Sequence, residues 1–89
     1  MSQIIVSPRE QRAFASALAE LSAEMRGRER VLAQHLAGLR STWSDAHYTR
    51  FSRAQEEMSL YLLGFHNRAQ LYCAYLGRKA AAAEKYLRT

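Results

Sequence analysis

Apolar side chains recur at intervals of three and four along most of this chain. In the first half they fall at Phe14, Leu18, Leu21 and Met25, and again at Leu32, Leu36 and Leu39. That spacing lines one stripe of an α-helix. Alanines 13, 15, 17, 19 and 23 add helix propensity and small flanks. The stripe has a polar gap near Arg28 and His35, and Gly27 beside it weakens the helix locally. In the second half the apolar positions are Phe51, Met58, Leu62, Phe65, Ala69, Leu76, Ala80, Ala83 and Leu87. Phe51 and Leu87 are about ten turns apart, so the stripe returns to the same side of the helix. Tyr61 and Tyr72 border it and Cys73 lies near its other edge. The pattern predicts one domain over 1–89: helix one over about 8–40, a turn over about 41–44 and helix two over about 45–87, with Gly64 and Gly77 as its interruptions. Residues 3–6 read as briefly extended.

The helix ends carry their own signals. Ser7-Pro8-Arg9-Glu10 places a serine at the N-cap, proline at the first helical position and a glutamate to reach back to the cap. Thr42 or Ser44 is the expected cap of helix two, with Asp45 in its first turn. The only tryptophan, Trp43, stands in the turn itself.

Two long helices joined by a short turn lie antiparallel. A single hairpin cannot enclose a stripe this wide. The expected fold is therefore all-α, an antiparallel two-helix hairpin that dimerises into a four-helix bundle. Its dimer core would be Phe14, Leu18, Leu21, Met25, Leu32, Leu36, Leu39, Phe51, Met58, Leu62, Phe65, Tyr72 and Leu76. Leu60 and Leu71, nearly opposite the stripe, and Leu63, to one side, read as scattered surface leucines.

Composition narrows the function classes. At 89 residues the chain forms one small domain, and its single cysteine, Cys73, excludes an intrachain disulfide. No basic-flanked apolar leader begins it and no run approaches a membrane span, so a cytoplasmic chain is expected, exported if at all without a cleaved signal peptide. The net charge of +5 admits nucleic acid as a partner. The thirteen basic and eight acidic residues are, however, mixed through both halves, which reads as a solvated helix surface, Glu56-Glu57 and Arg26-Gly27-Arg28-Glu29-Arg30 included. His35, His47 and His66 read as partly buried, hydrogen-bonded histidines, because a metal site needs three or four converging ligands. No catalytic or cofactor motif appears, so no enzyme, cofactor or metal is expected. Tyr61, Tyr72, Tyr75 and Tyr86 with Arg68, Arg78 and Lys79 allow a second reading, a basic dimeric helical protein that binds nucleic acid.

Small size, two long helices and Leu36, Leu39, Trp43, Ala46 and Phe51 around the turn resemble the Trp-X-Gly family of bacterial helical hairpins, which includes the early secreted antigenic target proteins of type VII secretion. Two family features differ here. Trp43-Ser44-Asp45 has Asp45 where the family has glycine, and no tyrosine is followed four residues later by an acid. The chain looks similar to a divergent branch of such hairpins. The resemblance implies a non-enzymatic, secretion-associated interaction protein. It would act as a homodimer or with a related helical protein or a larger secreted protein, with Trp43, Ser44 and Asp45 as the turn motif. Trp43 then either recognises a partner or plugs the bundle end against Leu39 and Ala46.

Overall fold

The computed structural model describes residues 7–43 and 45–88. The extended segment expected at residues 3–6 lies outside the described residues. The fold is all-α: helix α1 (Pro8–Leu39) and helix α2 (Ala46–Arg88) form an antiparallel hairpin. At about 1.5 Å per residue α2 is about 65 Å long, which accounts for the molecule's longest dimension of 66 Å. The other two are 25 and 14 Å. The hairpin is thus two helices wide and one helix thick, a slab with two broad faces.

The ends of the helices show how the sequence sets the turn. The Ser7 hydroxyl accepts from the Glu10 amide at 3.3 Å, with Pro8 at the first helical position. Glu10 is exposed. At the far end the hydroxyls of Ser41 and Thr42 donate back to the carbonyls of Gly38 and Leu39. The Trp43 amide also bonds the Leu39 carbonyl, at 2.7 Å. Thr42 therefore closes α1 rather than opening α2. The cap of α2 is Asp45, whose Oδ1 accepts from the amides of His47 and Tyr48 at 2.9 and 3.2 Å. A carboxylate there satisfies two otherwise orphaned donors and complements the helix dipole. Ser44, the other expected cap, lies outside the described residues. α2 runs without a break through Gly64 and Gly77, because its packing holds the helix where propensity is weakest.

The helices meet along a line that is neither large nor uniformly apolar. On α2 the less exposed positions include Ser52, Gln55, Ser59, Leu62, His66, Ala69, Cys73, Leu76, Ala80 and Ala83, in strict alternation of three and four. On α1 they include Ala15, Leu18, Ser22, Met25, Glu29 and Leu36. This is the seven-residue repeat of a coiled coil, whose seam positions are a and d. Only Ser22, Ala69 and Ala80 are buried among the described residues, and no large side chain is fully buried. Small residues let the helices approach, and polar residues find each other. The Ser22 hydroxyl and His66 Nδ1 are 2.7 Å apart. The Cys73 thiol donates to the Ala15 carbonyl at 3.3 Å. Glu29 accepts from Gln55 Nε2 at 2.7 Å and from the Ser59 hydroxyl. Glu29 is therefore a seam residue, not solvated charge. Of the three histidines only His66 is held in the seam; His35 and His47 are exposed.

Candidate interaction surface

Three seam contacts, Ala15 with Cys73, Ser22 with His66 and Glu29 with Ser59, share one register. The seam then fixes what the broad faces carry. In an antiparallel pair the positions flanking the seam on one side, g on each helix, share one face, and those on the other side, e on each helix, share the opposite face. Taking Ala15 and Ser52 as a positions, g holds Phe14, Leu21, Arg28 and His35 on α1 and Phe51, Met58, Phe65, Tyr72, Lys79 and Tyr86 on α2. Leu32 and Leu39, at the d positions beside them, lean to the same side. The face is apolar over most of its length, interrupted on α1 by Arg28 and His35 beside Leu32. Leu32 and Leu36 on α1 line a hollow of about 250 Å³ together with Phe51, Ala54 and Met58 on α2, so the face is a shallow groove at that point.

Within one hairpin this face is open. Phe14 is 60% exposed, Phe51 58% and Tyr72 59%, and Leu21, Leu32 and Leu39 are also exposed. Leu18, Met25, Leu36, Met58, Leu62, Phe65 and Leu76 are half-buried, one side of each against the seam. The expected core residues thus divide into a half-buried line along the seam and a line left mostly exposed. Monomeric proteins seldom leave so large a contiguous apolar area in water.

Trp43 stands at the turn end of the same face. It is half-buried, with its ring 5.6 Å from that of Phe51 and 5.8 Å, edge-on, from that of Tyr48. Its aromatic neighbours are thus in the first two turns of α2, while its backbone amide is held by Leu39 of α1. Asp45 beside it is occupied in capping.

The opposite face is polar. Arg12 and Glu84, both at e, pair there, Arg12 Nε donating to Glu84 Oε1 at 3.2 Å. That hydrogen bond, aided by the attraction of opposite charges, holds the Glu84 carboxyl below its ordinary range and raises Arg12. Near the turn Arg40, Arg53 and Glu56 line one hollow. Among the described residues no group of three metal-ligating side chains converges, and no helix is long and apolar enough to cross a membrane. No family model matches this chain, and neither curated proteins nor solved structures match it significantly.

Sequence reasoning missed the polar part of the seam: Ser22, Glu29, Ser52, Gln55 and Ser59. Its signal was the exact alternation of three and four in α2, carried by residues that a search for large apolar side chains passes over.

Proposed function

We propose that this protein is a non-enzymatic interaction module that pairs with a second helical hairpin across its apolar face, forming a four-helix bundle, and that a second copy of itself is the default partner. One observation carries the reading: the seam inside the hairpin closes on small and polar residues, while Phe14, Leu21, Phe51 and Tyr72 stand open on one face. Burying an aromatic side chain removes ~150–250 Å² from water. With the neighbouring leucines the face offers on the order of 800 Å² per partner, the size of a standard stable interface. The resemblance to the Trp-X-Gly hairpins supports the same pairing and adds a secretion-associated role, with a related hairpin or a larger secreted protein as the other candidate partners. Light scattering after size exclusion tests the pairing. A dimer is expected at micromolar concentration, and Phe14→Asp, which leaves the seam untouched, should give a monomer or an unfolded chain. A well-folded wild-type monomer of about 10 kDa would end the proposal.

A further inference from the structure

The face turned away from the apolar one carries the protein's charge. Four arginines of α1 and its C-cap residue occupy the e and b positions, which look out on this side: Arg9, Arg12, Arg26, Arg30 and Arg40. No acid of α1 shares them. On α2 the same positions hold Arg53 and Arg88 against Glu56 and Glu84. Seven arginines and two glutamates give this face the whole net charge of +5; the remaining six basic and six acidic residues cancel. Every one of these arginines is exposed. Along the e line Arg12, Ala19, Arg26, Ala33 and Arg40 alternate at seven-residue steps, so arginines are separated by low ground. Leu60 and Leu63 occupy b and e of α2 on this same face. By the seam register they lie across from residues 28 and 25, beside Arg26 and Arg30. Leu60 is 71% exposed and Leu63 46%.

We infer that this face binds the surface of an anionic lipid bilayer, its arginines meeting headgroup phosphates and Leu60 and Leu63 entering the interface. Three features select that partner. The arginines run the length of α1 on one broad face of a slab 66 Å long, which a planar anionic surface contacts all at once. Arginine binds phosphate with a two-pronged fork. Two leucines amid the arginines gain nothing from a nucleic-acid backbone but gain from leaving water at a membrane interface. The inference stands apart from the pairing reading, because it uses the other face.

Vesicle co-sedimentation with the full chain tests it, using phosphatidylcholine alone and phosphatidylcholine with about one-third phosphatidylglycerol. Binding is expected only to the anionic vesicles and should fall as salt rises. A cation near such a surface contributes about fivefold in affinity. The double variant Arg26→Glu/Arg30→Glu should therefore bind at least about 25-fold more weakly, whereas Arg68→Glu/Arg78→Glu, equal in charge but directed elsewhere, should lose far less. Leu60→Ser/Leu63→Ser should also weaken binding, with circular dichroism confirming the helices in every variant. Equal losses in the two charge variants would overturn the inference, as would absence of binding at low salt. Loss of vesicle binding in Phe14→Asp with its helices intact would assign the lipid to the apolar face instead. Tighter binding of duplex DNA that ignores the leucine substitutions would assign the arginines to nucleic acid.

Discussion

The seam between the helices and the apolar face beside it run side by side along the same slab, yet they are built from different residues. The seam uses Ala69, Ala80, Ser22 and Cys73, side chains that take up little room, and joins them with hydrogen bonds between particular atoms. The face uses Phe14, Leu21, Phe51 and Tyr72, which bring area and almost no directionality. The seam therefore sets register while contributing modest burial. Unlike charge or shape alone, a bond such as that between Ser22 and His66 is lost if either helix slides by one turn. The face has the stabilising area but cannot use it until something covers it. Specificity and stability are thus assigned to adjacent surfaces, and under the proposed pairing folding of the slab is coupled to the second hairpin that closes the face.

Substitutions can break that division at either surface. The largest effect is expected from Phe51→Asp, which places a charge on the face and touches no seam contact. It should abolish pairing and lower the melting temperature at every protein concentration, as read by light scattering and thermal denaturation; a dimer that survives would remove Phe51 from the interface. Ala80→Leu tests the seam. Ala80 is fully buried, so the larger side chain must push the helices apart at a cost of about 1–3 kcal/mol, with dimerisation retained once corrected for stability. Denaturant unfolding reads it, and an unchanged midpoint would show that the seam is not closely packed there.

Trp43→Ala addresses the junction of the two surfaces. Because Trp43 is half-buried against Tyr48 and Phe51, its loss should cost about 1.5–3 kcal/mol, less than the ~3–5 kcal/mol of a fully buried tryptophan. An unchanged melting temperature would assign the ring to partner recognition alone. The smallest effect belongs to Glu84→Gln on the polar face. Glu84 is held below its usual range by Arg12, so the pair stabilises the fold above the ordinary carboxylate range, and that stabilisation disappears as pH falls through the folded-state value. The variant should show a shallower loss of melting temperature on acidification, with little difference in high salt, since the pair is exposed.

Much of this architecture can be read from the chain. Ser7-Pro8 opens α1 as its residue types require, and the apolar stripe with a short polar break at residues 40–45 specifies two antiparallel helices. Other features escape for physical reasons. Thr42, Ser44 and Asp45 are all competent caps, and only the backbone path decides that Thr42 serves the helix before it and Asp45 the helix after it. Glu29, Gln55 and Ser59 are chemically indistinguishable from surface residues; what removes them from the surface is each other. The large apolar stripe marks the open face so strongly that it hides the seam running next to it. The arginine face escapes as well, since charges that alternate along the sequence separate only when wound onto a helix.

The shared register bears on how such a chain can change length. Each helix places two residues in the seam every seven, and the turn ties residue 39 of one helix closely to residue 46 of the other. Removing a single residue from either helix would rotate all side chains on one side of the deletion by about 100°, sending seam residues to the faces and arginines into the seam. Removing a heptad from one helix alone would leave the turn to bridge about 10.5 Å more. Only matched heptads taken from both helices next to the turn preserve Ser22 opposite His66 and Ala15 opposite Cys73. Insertions and deletions in the lineage of this hairpin are therefore expected in paired units of seven, so that its length evolves in steps of about two turns at the turn end while the open end keeps its place.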